Sequence, residues 1–318
     1  MKNRPSYLSL YKSGELQKRK NRLLKTLEKC TLCPRKCKVN RVKGEKGFCK
    51  AGLMPKVNTA QLHFGEEPPI SGRKGSGTIF FSHCNMRCVY CQNFPISHLG
   101  YGEEVSSKKL AQMMLNLQSQ KAHNINLVSP THFVPQIIEA LEIAILKGLK
   151  IPLVYNTNGF DSIKTLKLLD DIFDIYLPDM KYTDSKNSQK YSQTPNYFYY
   201  NKKAIGQMHR QVGNPVFTQN RVIKKGLIVR HLVLPNNISD SKKVFKFLAS
   251  KISKKVYVSL MAQYYPTYKA EKYPKVSRRI TKKEYEKTLK EFYKKGLKNG
   301  FIQSPTSATQ EMTPNFHH

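Results

Sequence analysis

From residue 78 to residue 297 the chain repeats one beat: a short run of Ile, Leu, Val and Tyr, then a stretch with helical spacing. The runs at 78–82, 124–128, 153–156, 175–177, 227–234 and 256–260 are apolar over most of their length. Strands read this way when helices cover both faces of their sheet. The intervening helices are expected at 108–120, 135–147, 162–169, 202–209, 241–248 and 282–297. Ser106 or Ser107 caps the first, while Pro135 opens the second and Gly148 closes it. Strand–helix repeats joined by right-handed crossovers give a parallel sheet that curls toward a barrel. Six such units are two short of a closed barrel. The predicted fold is therefore α/β, a partial (βα)6 TIM-like barrel over residues 71–300.

Residues 1–70 form a different segment. Leu16, Leu23, Leu24 and Leu27 have helical spacing in a basic stretch, and Cys30, Cys33, Cys37 and Cys49 follow as a compact metal module. The Pro- and Gly-rich stretch 50–76 reads as a loop-rich connector, and the polar segment 301–318 as a disordered tail. No apolar run approaches the ~20 residues of a membrane span, and no apolar stretch of signal-peptide length follows the basic N-terminus. A cytoplasmic protein with no membrane partner is expected, and there thiols stay reduced.

That location gives the seven cysteines their meaning, as metal ligands rather than disulfides. The charge says less. Lys and Arg number 55 against 21 Asp and Glu, a net charge of +34. It is spread along the chain without a compact basic stripe, so it favours solubility and attraction to polyanions, RNA among them, without marking an interface.

Cys84, Cys88 and Cys91 stand as C-x3-C-x2-C directly after the first apolar run. This is the end of a barrel strand where active sites collect. Three thiolates this close can hold three irons of a cubane cluster and leave the fourth open to a substrate. The alternative is a closed zinc site with His83 or His98 as fourth ligand. Further along, Asp179 and Lys181 lie two apart at a strand end and so point the same way, toward the barrel mouth. A carboxylate and an ammonium there suit a zwitterionic ligand, although a surface ion pair has the same spacing. In the N-terminal module, four cysteines are enough to close a metal site, and zinc and a second [4Fe–4S] cluster both fit.

The spacing of Cys84, Cys88 and Cys91, with Tyr90 before the last, resembles the defining motif of the radical S-adenosylmethionine (SAM) superfamily. The wider run of motifs is similar to its PflX-type branch, which is like the pyruvate formate-lyase-activating enzymes. These motifs are CTLCPRKCKVN, GEKGFCKAG, GEEPPISGRKGSGTIFFSHCNMRCVYCQN, NINLVSPTHFVPQI, VYNTNGFDS, DIYLPDMKY and VRHLVLP. The resemblance covers residues 7–297.

It implies a [4Fe–4S] cluster on Cys84, Cys88 and Cys91, with SAM chelating the open iron and cleaved to a 5′-deoxyadenosyl radical. It also implies Tyr90 near the adenine, and Asp179 and Lys181 at SAM's charged groups. Ser129-Pro130-Thr131-His132 replaces the family's Gly-Gly-Glu-Pro-like turn, which leaves SAM's amino group to the Thr131 hydroxyl or a nearby carbonyl. Asn156 stands where the family has Asp in Asp-Thr-Asn-Gly. Arg230-His231 matches an Arg-His pair facing the barrel interior, and Gln263 lies where a polar contact to the carboxylate is expected. His132 and His231 are further residues of interest on the presumed active side.

The partners that follow are an electron donor such as flavodoxin or ferredoxin and a protein substrate, the backbone glycine of a glycyl-radical enzyme. Radical modification of RNA or of another protein is the alternative within enzymes. A non-catalytic, zinc-binding nucleic-acid adaptor is the alternative outside them.

Overall fold

Apolar runs bounded by Gly and Pro are too short for helices and, laid side by side, bury both of their faces. In the computed structural model, which describes residues 4–304 and Phe316, they form one sheet. Two helices lead in, α1 (Tyr7–Lys12) and α2 (Glu15–Lys25). The chain continues through β1 (Lys56–His63), α3 (Pro68–Ser71), β2 (Ser76–Phe81), β3 (Glu103–Glu104) and α4 (Ser107–Ser119). Next come β4 (Ile125–Val128), α5 (Val134–Leu146), β5 (Leu153–Thr157), α6 (Ile163–Leu168) and β6 (Ile175–Pro178). After these lie α7 (Ser185–Ser192), α8 (Tyr197–Val212), β7 (Val216–Phe217) and β8 (Ile223–Leu232). The series closes with α9 (Ser241–Phe247), β9 (Tyr257–Met261), α10 (Lys282–Lys294) and β10 (Gly300–Ile302).

The sheet order is β10-β9-β8-β6-β5-β4-β2-β1-β3, an open path with β7 hanging on β8. Every pairing from β2 to β10 along that path is parallel. In register, Ile79 lies against Leu127, Leu127 against Tyr155, and Tyr155 against Tyr176. Each residue of β2, β4, β5 and β6 is buried, as a doubly covered parallel sheet requires. Helix starts follow the sequence signals. Ser106 accepts a hydrogen bond from the Lys109 amide, and Thr281 with Glu284 forms a capping box.

Three expectations are corrected. The segment 50–76 is not mainly a connector: β1 pairs antiparallel with β2, Leu62 against Gly77 and His63 against Ser76. The helix expected at 202–209 is the middle of the longer α8, with α7 ahead of it. A seventh parallel strand, β10, follows α10, so 301–302 belongs to the sheet and the Gln303 amide bonds Leu260 O at 3.1 Å. The rest of the expected tail, apart from Ser304 and Phe316, lies outside the described residues.

The N-terminal segment packs into the same apolar core as the sheet, with Leu16, Leu23, Leu27 and Leu32 among its buried members. Thr165 Oγ1 donates to Leu32 O at 2.9 Å, and Tyr7 OH to Ile151 O at 2.8 Å. These contacts set the four-cysteine module against the rim of the barrel. Among the described residues no helix is long and apolar enough to cross a membrane.

Candidate active site

The C-terminal ends of the parallel strands open into one cleft of about 340 Å3. The chain leaves β2 through His83, whose φ of 71° turns it sharply into the three-cysteine loop. Neighbouring structure pins the loop. The Arg87 and Val89 amides donate to the carbonyls of Ser192 and Tyr191, each at 2.9 Å, and Asn85 Nδ2 donates to Phe160 O at 2.8 Å.

Each thiol has an outer polar partner. Asn158 Nδ2 and the Met86 amide reach Cys84 Sγ at 3.3 and 3.4 Å, Ser192 Oγ donates to Cys88 Sγ at 3.0 Å, and Ser97 Oγ lies 3.1 Å from Cys91 Sγ. Burial pushes the free Cys88 thiol up to about 11 and Cys91 to about 12. A soft metal centre that displaces those protons is the chemistry such thiols suit. Among the described residues, no three His, Cys, Asp or Glu side chains are grouped to hold one metal ion. His98 packs on Tyr268, at 4.6 Å between rings. The donor set fits a cluster that spreads its ligands over several irons.

Beside Cys88 and Cys91 the cleft is lined by Tyr90, Asn156, Asp179, Lys181, Arg230 and Gln263, all expected at the site. Asp179 is the hub. Its Oδ2 lies 2.6 Å from Lys181 Nζ and its Oδ1 accepts from Arg230 Nε at 3.0 Å. Burial alone would raise the Asp179 carboxyl, but Lys181 and Arg230 outweigh it and hold the group below the usual carboxylate range. Burial likewise works against the Arg230 charge, and Asp179, Glu67 and Glu66 around it overcome that. Gln263 Oε1 accepts from Gln303 Nε2 at 2.6 Å, and Gln263 O accepts from Gln92 Nε2 at 3.0 Å. The Tyr90 hydroxyl is bonded to that of Tyr182, which in turn lies 2.7 Å from Ser192 Oγ. Tyr90 thus offers the cleft its ring.

Two residues that sequence reasoning missed complete the network. Glu66 takes Arg230 Nη1 at 3.4 Å on Oε2, and on Oε1 the side-chain amides of Asn126 and Asn156 at 2.9 and 3.2 Å. Glu67 also lines the cleft, and its Oε2 is buried with no hydrogen-bond partner. Burial raises its carboxyl to about 7. The signal was present, since two acids precede Pro68-Pro69, but the segment read as a connector and not as the loop leaving a strand.

Three other expectations are placed elsewhere. Thr131 does not line the cleft: its buried hydroxyl donates to Asp161 Oδ1 at 2.7 Å, within a cluster that includes Thr157 and Tyr155. His132 and His231 are scaffold residues. Nε2 of His132 lies 2.8 Å from Ser82 O, while Nδ1 and Nε2 of His231 lie 2.6 Å from Met180 O and 2.8 Å from Ser241 Oγ. Burial lowers His132 to about 3 and His231 to about 4, so both rings are neutral at pH 7.

The family model described as the radical SAM superfamily matches residues 78–248. An uncharacterized protein of Methanocaldococcus jannaschii, MJ0674, is 31% identical over 251 residues, which is 75% of this chain and 67% of that protein. Among solved structures, a radical SAM methyltransferase from Sphaerobacter thermophilus is 12% identical with a TM-score of 0.47, over 72% of this chain and 66% of that one. Streptococcus suis SuiB, bound to its precursor peptide SuiA, is 11% identical with a TM-score of 0.48, over 70% of this chain and 47% of that one. Likenesses at that level add nothing to what the family model carries. The chain thus spans about two thirds of the length of the relatives first named. The matched region takes in more than half of the chain, from β2 through the three cysteines to Asp179, Lys181 and Arg230, and the chain belongs to the radical SAM superfamily.

Proposed function

We propose that this chain is a radical SAM enzyme that binds SAM in the cleft beside Cys88 and Cys91 and abstracts a hydrogen atom from a protein substrate. The observation that carries the reading is the convergence on one cleft of the cluster-loop thiols and a buried set of opposed charges. Cys84, Cys88 and Cys91 would hold a [4Fe–4S] cluster; given SAM and one electron from a low-potential protein donor such as flavodoxin or ferredoxin, that group would supply the reductive cleavage of SAM to methionine and a 5′-deoxyadenosyl radical.

The protein's own residues bind and orient. Lys181 and Arg230 offer cations to a carboxylate, held in place by Asp179 and Glu66 so that they need no rearrangement when ligand enters. All the carboxylate oxygens of Asp179 and Glu66 are engaged, which leaves the carboxyl of Glu67, whose buried Oε2 has no hydrogen-bond partner, to be matched with an ammonium. That assigns to Glu67 the part first given to Thr131. The Tyr90 ring suits a flat base, and the amides of Gln92, Gln263 and Gln303 can bond its polar edge. Likeness to the PflX-type branch supports a backbone glycine of a glycyl-radical enzyme as the target.

Anaerobically reconstituted, dithionite-reduced protein should release 5′-deoxyadenosine from SAM, and the Cys88→Ala variant should not. Iron- and sulfide-loaded protein that fails to bind SAM would overturn the reading. An extract of the source cells grown on α-deuterated glycine should transfer deuterium into the 5′-deoxyadenosine. Turnover without transferred label would reject the glycine target and leave the radical chemistry standing.

A further inference from the structure

We propose that Cys30, Cys33, Cys37 and Cys49 hold a second, polynuclear iron–sulfur cluster and not a zinc ion. Local structure gathers the four. The Cys30 amide bonds Val39 O and the Lys38 amide bonds Cys30 O, each at 2.9 Å, which folds Cys37 back beside Cys30. Lys36 and Lys38, at φ of 44° and 60°, make the turn. Gly47 lets the turn bearing Cys49 close on it: a Cβ there would stand 2.9 Å from Cys37 Cβ and 3.0 Å from its Sγ.

The space that the four cysteines line, together with Arg35, Arg41 and His132 among others, bears on the choice of metal. Four thiolates around zinc sit at about 2.3 Å from a single ion and leave no room between them for even a water. Here all four cysteines line a cavity of about 20 Å3, larger than the ~10–15 Å3 that one water needs. Among the described residues no three of these side chains are grouped as ligands of one ion. Thiols set around a cavity rather than around a point suit a centre whose irons each take one thiolate.

The module's surroundings suit the negative charge of such a centre. Arg41, 1% exposed, and Arg35 both line the cavity. Arg35 also joins the module to the cluster loop. Its guanidinium stacks 3.3 Å over the Phe48 ring, and its Nε donates to Asn85 O, next to Cys84, at 2.6 Å. One side chain therefore lines the four-cysteine cavity and is hydrogen-bonded to the cluster loop.

The test is the metal content of full-length protein purified anaerobically and reconstituted with iron, sulfide and zinc all present. Wild type should carry two clusters' worth of iron and sulfide and no zinc. The Cys84→Ala/Cys88→Ala/Cys91→Ala variant should keep half of the iron and show, on reduction, the paramagnetic signal of an iron–sulfur cluster. The Cys33→Ser/Cys37→Ser variant should lose the other half. One zinc per chain in the triple variant, or wild type with a single cluster's iron that the triple variant loses entirely, would overturn the assignment. Because the triple variant lacks the SAM site, its result is independent of whether the proposed reaction occurs, and wild-type stoichiometry decides even if a variant misfolds.

Discussion

Asp179→Asn removes one negative charge and leaves Lys181 and Arg230 facing each other, mostly buried, at the wall of the cleft. Asp179 is 7% exposed and lies 2.6 Å from Lys181 Nζ and 3.0 Å from Arg230 Nε. Breaking a buried pair typically costs 3–5 kcal/mol, because the orphaned charge stays buried. Arg230 keeps Glu66 at 3.4 Å, so the low end applies, about 3 kcal/mol. For a chain of this size that corresponds to a fall in Tm of roughly 4–5 °C.

The pH dependence has a definite sign. The folded-state carboxyl lies below its ordinary value, so its stabilisation is complete above the unfolded value. It is lost only as pH falls through the lower, folded one. The gap between wild type and variant should therefore be constant from pH 8 to pH 5 and narrow only below about pH 4. Thermal unfolding of the metal-free chain, followed across that range, measures it. A variant that melts within 1 °C of wild type at pH 7, or a gap that closes near pH 6, would refute the idea that Asp179 neutralises two buried cations.

Glu67 should behave in the opposite sense. Its folded value is raised to about 7 by burial, so wild type should lose stability relative to Glu67→Gln as pH rises from about 4 through 7, seen in paired melting curves. The same variant should bind SAM about tenfold more weakly at pH 8, measured by equilibrium dialysis of cluster-loaded protein, the loss expected for one charged hydrogen bond. Ser192→Ala removes the hydroxyl 3.0 Å from Cys88 Sγ. It should lower the reduction potential of the cluster by about 40 mV, the equivalent of ~1 kcal/mol for one electron, read by potentiometric titration. Gly159, at φ 75°, has Asp179 O 2.3 Å and Asn201 Nδ2 2.2 Å from where a Cβ would be. Gly159→Ala should therefore displace the Asp179 strand end and cost 3 kcal/mol or about that in denaturant unfolding, together with SAM affinity.

Much of this architecture was legible in the order of residues, because period and punctuation are local properties. Six of the parallel strands announce themselves as apolar runs, Ser106 marks a helix start through a hydrogen bond three residues on, and Pro135 marks one through its fixed φ. What escaped was non-local. The polar strand β1 is held by pairing with β2, and β10 by pairing with β9, so neither needed a strong pattern of its own. The Thr131 expectation failed for a related reason: a hydroxyl on the correct loop still goes to the nearest buried acceptor, here Asp161.

The sequence by itself determined the chemistry on offer: seven cysteines in two spacings, a carboxylate and an ammonium two residues apart, and a βα series that delivers strand ends to one face. Only the tertiary structure decided which charges meet. Glu66 stands 164 residues from Arg230 and 90 from Asn156, and nothing local connects them. It also decided which residues line the cavity beside the four cysteines, Arg35 and Arg41 among them, which spacing along the chain does not encode. Bond geometry limits neighbours within a few residues, whereas a buried charge takes its partner from whatever the packed sheet places within reach.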